Sequence, residues 1–250
     1  VLHIDLAEDI SGETRVINFH IKKPYLSRAV SVWTSDCSLS GVTWSRPGSS
    51  KIEVATGEPN IIDSVATLVP ETISLEGTIG RNVRSFFQAN RYLLPSLVSA
   101  VCNYVKVGPV LDLYAGVGLF AVALASLGVN EITAVERDII ARKDLTRNAK
   151  SAARQIQVVG TSVERFLAGS SQCIPGTVIV DPPRAGLSKT VLELLVRRRV
   201  ASIVYVSCDV ATFARDVGRF RQAGYVIQGI QAFDMFPNTA HIELLANLGS

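Results

Sequence analysis

From Val110 onward the chain alternates short, almost unbroken apolar runs with segments of helical periodicity, and no other feature narrows its possible folds as much. The runs Val110–Tyr114, Val178–Asp181 and Ile203–Ser207 are dominated by Val, Ile, Leu and Tyr. A strand this apolar has both faces covered, the condition of a parallel sheet wrapped by helices. Ile132–Glu136, Gln157–Val159, Tyr225–Phe233 and His241–Leu245 read as further strands. Leu119–Leu127, Ile139–Ala152, Lys189–Arg199 and Ala211–Ala223 read as the helices between them. The pattern predicts a doubly wound α/β domain over residues 81–250, in which ligands sit beyond the carboxyl ends of the strands.

Residues 1–80 have a different texture. Extended runs at Leu2–Leu6, Arg15–Ile21, Ala29–Thr34, Gly41–Trp44, Lys51–Ala55 and around Ser64–Val69 are separated by turn formers such as Ser11-Gly12 and Arg46-Pro47-Gly48, which predicts a smaller strand-rich module. Phe86–Val107 carries helical spacing. A length of 250 residues accommodates two unequal units, and 48% hydrophobic with 19% charged residues excludes a disordered chain. With no membrane-length apolar run and no signal-peptide pattern, a cytoplasmic protein without a membrane partner is expected. The first residue is Val1 and the only methionine is Met235, so the natural start is expected to lie upstream.

The four cysteines form no Cys-x-x-Cys pair and the three histidines show no ligand spacing, so no metal site is predicted. A net charge of +3 does not identify a nucleic-acid partner, which needs a local basic cluster.

The strand ends carry the chemistry. The first apolar strand runs into Tyr114-Ala115-Gly116-Val117-Gly118, whose glycines permit a sharp turn and close approach to a ligand. Glu136 ends the next strand 20 residues after Gly116, where a carboxylate accepts hydrogen bonds from ribose hydroxyls. This implies a nucleotide-like cofactor, and dinucleotides and S-adenosylmethionine fit equally. Asp181-Pro182-Pro183-Arg184 makes a rigid ledge that holds a carboxylate and a guanidinium at the cleft. Cys208 ends the Ile203 strand at a helix N-terminus, which favours a thiolate. Glu243 is a carboxylate on a largely apolar strand, read either as a solvated edge position or as a working group.

Together with Ser85-Phe86-Phe87-Gln88 and the segment from Asp234 to Glu243, these motifs resemble the RNA uridine 5-methyltransferases, which use S-adenosylmethionine to make 5-methyluridine in tRNA and rRNA. The resemblance covers residues 85–250. It implies a class I methyltransferase sheet, with residues 1–80 as the central, RNA-recognition domain by position and texture. It also implies cofactor contacts from Gln88, Tyr114, Gly116, Gly118, Glu136 and Asp181, a nucleophile at Cys208 and a proton-abstracting base at Glu243. Arg184 and Phe87 are expected at the substrate, with Arg81, Arg84 and Arg91 near RNA phosphates. Ala115, Leu119 and Asp209 depart from the family pattern. Asp209 is expected to raise the Cys208 pKa unless Arg184 or Arg215 compensates. Other readings are a nicotinamide-dependent oxidoreductase, which leaves Cys208 and Glu243 without a task, and a catalytically weakened RNA-binding member of the same fold. A cytosine 5-methyltransferase would place a Cys directly after Pro182, where Pro183 stands.

Overall fold

A computed structural model describes residues 3–22, 39–69, 77–106, 108–169 and 176–250. The expected strand Ala29–Thr34, and Cys37 and Cys173, lie outside the described residues. The N-terminal strands β1 (His3–Glu8), β2 (Arg15–His20), β3 (Gly41–Ser45) and β4 (Glu53–Gly57) form a four-stranded sheet in that order. β5 (Asn60–Ser64) and β6 (Thr78–Asn82) pair as a separate antiparallel ladder. The short helix α1 (Val65–Leu68) replaces the extended run expected there. Val65, Leu68 and Val69 are buried together, a helical i, i+3, i+4 spacing hidden by the β-branched Val65, Thr67 and Val69.

Helix α2 (Leu94–Tyr104) starts eight residues later than the spacing predicts. Asn90 Oδ1 accepts the N–H groups of Tyr92 and Leu93 at 3.1 Å each, which holds residues 91–93 in a turn ahead of the helix. The chain then alternates as β7 (Val110–Leu113), α3 (Leu119–Ser126), β8 (Ile132–Val135), α4 (Ile139–Ser151), β9 (Ile156–Val159), α5 (Val163–Gly169), β10 (Thr177–Val180), α6 (Lys189–Arg197), β11 (Ser202–Ser207), α7 (Val210–Gln222), β12 (Val226–Phe233) and β13 (Glu243–Gly249). The periodicity missed α5, a single short amphipathic segment.

The seven strands order as β12-β13-β11-β10-β7-β8-β9, with β13 antiparallel to both neighbours and the others parallel. The doubly wound sheet is therefore present. Residues of α2, α3 and α4 pack on one face with Val204, Val206 and Leu245. Residues of α5, α6 and α7 pack on the other with Ile203, Tyr205 and Leu248. Successive strand residues alternate between these cores, as the two-residue period requires. Strand order reverses between β7 and β10, which sets the ligand cleft at their carboxyl ends. No described helix is long and apolar enough to cross a membrane.

Candidate active site at the carboxyl edge of the sheet

The turn after β7 is built from backbone that few residues adopt. Tyr114, Gly116 and Gly118 have φ of 62°, 56° and 93°. Tyr114 is the one non-glycine in this strained run, as is common beside a ligand. A Cβ at Gly116 would meet open space, whereas one at Gly118 would lie 2.6 Å from Leu145 Cδ1. Gly116 thus faces the cleft and Gly118 permits the turn to lie against α4. Glu136 fixes the same turn, because its two oxygens accept the N–H groups of Gly116 (2.9 Å) and Asp138 (2.6 Å).

Three carboxyls converge below this turn. Asp112, inside β7, is fully buried; its Oδ2 accepts Ala121 N–H at 3.2 Å while its Oδ1 has no partner. Burial, with the neighbouring charges of Asp181 and Glu136, pushes its pKa up to about 8. Asp181, half-buried at the end of β10, is raised to about 7 by desolvation. Glu243 is 1% exposed, its Oε2 has no partner, and burial followed by the Asp181 charge lifts it to about 8. The solvated-edge alternative for Glu243 is thereby corrected, because β12 and β11 flank its strand on both sides.

Cys208 and Glu243 meet through sheet register. β11 and β13 pair Ser207 with Leu244 at the end of their ladder, which brings Cys208 and Glu243, the next residue on each chain segment, to the same edge of the sheet. The thiol is half-buried, and its pKa is raised by burial first, then by Glu243, while the Arg184 guanidinium opposes the rise. The expected rise from Asp209 is corrected: the charges that raise the thiol are those of Glu243 and Asp181. Asp209 caps α7, accepting Thr212 N–H at 2.8 Å, and these bonds hold its own pKa low. Arg215 is committed elsewhere, to Asp216 and the carbonyls of Ala185 and Leu187. Arg184 is therefore the cation acting on the thiol.

Asp216, wholly buried on α7, accepts Leu187 N–H (2.8 Å), Tyr205 O–H (3.0 Å) and the Arg215 guanidinium (2.8 Å), anchoring the Pro-Pro-Arg ledge. On the opposite side α4 plays the same part. Asp144 Oδ2 accepts Asn82 N–H (2.7 Å) and Ser85 O–H (2.6 Å), and Asn148 bridges Gly80 to the Val117 carbonyl in the glycine turn. These clamps position the loop carrying Gln88, whose buried Oε1 has no partner. Sequence reasoning missed Asp112, Asp144, Asn148 and Asp216. A lone aspartate within a Val/Leu strand was the available signal for Asp112, and the buried polar face of α4 had none.

Arg81 departs from the expected phosphate contact. It is 4% exposed, pairs with Asp63 at 3.1 Å and lies 4.1 Å over the Phe87 ring. Phe87 is accordingly half-buried under that guanidinium, whereas Phe86 is 76% exposed. Arg84 donates to the Ser49 carbonyl, and Arg91 to the Ile10 carbonyl and the Tyr92 hydroxyl.

Residues 78–248 match the tRNA (Uracil-5-)-methyltransferase family. The chain is 40% identical over 167 residues to a Pyrococcus abyssi tRNA (uracil(54)-C(5))-methyltransferase, covering 66% of this chain and 38% of that protein. A 23S rRNA (uracil(747)-C(5))-methyltransferase from the same organism is 36% identical over 168 residues, covering 66% of this chain and 38% of that protein. The aligned segment thus spans about two fifths of these relatives' length. The crystal structure of Pyrococcus abyssi tRNA (uracil-54, C5)-methyltransferase with S-adenosyl-L-homocysteine superposes with TM-score 0.76 and 31% identity, covering 97% of this chain and 58% of that one. An M. jannaschii tRNA m1G37 methyltransferase shares the fold alone, at TM-score 0.60 and 15% identity, over all of this chain and 74% of that one. With two thirds of its length matched and the motif residues gathered at one sheet edge, the chain belongs to the tRNA (uracil-5-)-methyltransferase family.

Proposed function

We propose that the chain carries the catalytic region of an S-adenosylmethionine-dependent RNA uridine C5-methyltransferase acting on tRNA or rRNA. Residues 81–250 perform the transfer and residues 1–80 contact the RNA. The observation that carries this reading is the Cys208 thiol within electrostatic reach of a buried, unpartnered Glu243, with Arg184 and Asp181 acting on the same sulfur.

The residues present fit the cofactor. The Gly116 turn opens onto the cleft, Glu136 stands at the end of β8, and orphaned oxygens on Gln88 and Asp112 await donors. A sulfonium cation beside Asp112 and Asp181 favours their ionised forms, which suits this end of the cleft to S-adenosylmethionine. Bound S-adenosylmethionine supplies an electrophilic methyl group.

The chain's own residues then do the following. Carbon 5 of uracil is a poor nucleophile until the Cys208 thiolate adds to carbon 6, which moves the ring electrons onto the carbon 5–carbon 4–oxygen enolate. Arg184 favours the thiolate that starts this step. Once carbon 5 bears the methyl group, Glu243 takes its remaining proton. The freed electron pair rebuilds the carbon 5–carbon 6 double bond and the sulfur leaves as thiolate. With its pKa raised to about 8, the ionised fraction of Glu243 is a stronger base than a solvated carboxylate, and accepting this proton removes its burial penalty. The target uridine must lie in a loop or be extruded, and the exposed Phe86 ring suits stacking on a base.

The test is incubation with labelled S-adenosylmethionine and tRNA or rRNA transcripts, natural or bearing 5-fluorouridine. Label on uridine carbon 5, and a cofactor-dependent covalent adduct absent in Cys208→Ala, are expected. Label on cytosine, or no adduct, would overturn the reading.

A further inference from the structure

A second cluster of chemistry-bearing side chains lies far along the chain from the cleft residues. In the β1–β2 ladder His3 is the register partner of His20, and Asp5, two residues along β1, shares the face of His3. His3 Nε2 is 2.8 Å from Asp5 Oδ1, His20 Nε2 is 2.6 Å from Asp5 Oδ2, and the three donor atoms all lie within 4.8 Å of one another. We propose that His3, Asp5 and His20 bind a divalent transition-metal ion of the zinc class.

The donor set suits such an ion. Two imidazoles and one carboxylate are borderline ligands that favour zinc, cobalt or nickel over magnesium or calcium. Tetrahedral zinc with bonds of about 2.0–2.2 Å holds its donors roughly 3.4 Å apart, a spacing inside the 4.8 Å that encloses the three donor atoms here. The His3 side chain is 65% exposed, which leaves solvent as the fourth ligand.

The surroundings are those of a built site. Below the cluster the same sheet face is polar and buried: Asn18 Nδ2 donates to Asp5 Oδ2 (3.1 Å) and to Ser45 Oγ (3.2 Å), Thr43 O–H donates to Asn18 Oδ1 (3.0 Å), and Ser45 Oγ lies 3.4 Å from His20 Nδ1. Groups that orient a ligand's second oxygen or second ring nitrogen are what fix metal ligands in place. A hydrogen-bonded carboxylate between two imidazoles needs no such buried column behind it. β1 is an edge strand, and an ion shared between it and β2 would fasten the open end of the ladder.

The experiment uses the full chain without a histidine tag, stripped with chelator. Co2+ is titrated by visible absorption and Zn2+ by calorimetry. One ion per chain is expected, with Co2+ bands of four or five N/O ligands and no thiolate charge-transfer band. His3→Ala, at an exposed position, and Asp5→Asn are each expected to weaken Zn2+ by about tenfold or more. Zn2+ is expected to raise the melting temperature of the parent and not of His3→Ala. Absence of binding below millimolar Zn2+, a thiolate band, or undiminished affinity in His3→Ala would each overturn the proposal.

Discussion

Replacing Glu243 by Gln removes an ionisable group from a buried position in the cleft while preserving its shape. The folded-state pKa is raised from 4.5 to about 8 by burial and by Asp181. A carboxyl raised in the folded state gives its full stability below the unfolded pKa and loses it progressively up to the folded one. At pH 7 the unfolded chain has ionised this group and the folded chain holds it largely neutral. That interval of 2.5 pH units above 4.5 costs roughly 3 kcal/mol at about 1.4 kcal/mol per unit, and at pH 5 the cost is under about 1 kcal/mol. Glu243→Gln should therefore be more stable than the parent in urea, by about 2–3 kcal/mol at pH 7, with the gain largely gone at pH 5. In the same variant the covalent adduct with natural uridine RNA should accumulate, because no base remains to release the sulfur. A stability difference independent of pH between 5 and 8, or destabilisation at pH 7, would refute the assignment of this charge as buried and costly.

Gly118→Ala places a methyl 2.6 Å from Leu145 Cδ1 at a φ of 93°, and should destabilise by about 1–3 kcal/mol while weakening retention of S-adenosylhomocysteine, read by calorimetry. Arg184→Met removes the cation that favours the Cys208 thiolate, so alkylation of that thiol by iodoacetamide should slow at pH 8 and its midpoint move to higher pH. Asp144→Ala leaves the Asn82 N–H and Ser85 O–H without an acceptor; it should cost about 2 kcal/mol in urea unfolding and lower cofactor affinity through the Gln88 loop. Arg81→Met strands the buried Asp63 carboxylate and should cost about 3–5 kcal/mol, a loss that Arg81→Met with Asp63→Leu substantially recovers.

Much of the fold is written in local patterns. The apolar runs at 110–114, 178–181 and 203–207 are strands wherever they are placed, because a segment without a polar face must be covered on both sides. Asp181, Cys208 and the glycine turn were legible for the related reason that strand ends in such sheets face ligands. Helix starts were less legible, since the apolar spacing of residues 86–93 is helical while Asn90 holds the backbone in a turn.

Distance along the chain separates the remainder from any local reading. Glu243 read alone as an edge residue as readily as a working group. The antiparallel insertion of β13 between β12 and β11 buried it and brought it to the sheet edge that carries Cys208, 35 positions earlier. Arg81 looked like a phosphate contact until packing closed over it and supplied Asp63 and the Phe87 ring. His3 and His20 showed no ligand spacing because strand pairing, and not sequence separation, makes them neighbours. The sequence by itself determined most of the strands and helices of the α/β sheet and which titratable and nucleophilic side chains stand at strand ends, since those follow from periods of two and 3.6 residues. Only the tertiary structure decided which charges share a site and which are desolvated, because both depend on register and on the dielectric that distant residues create when they pack.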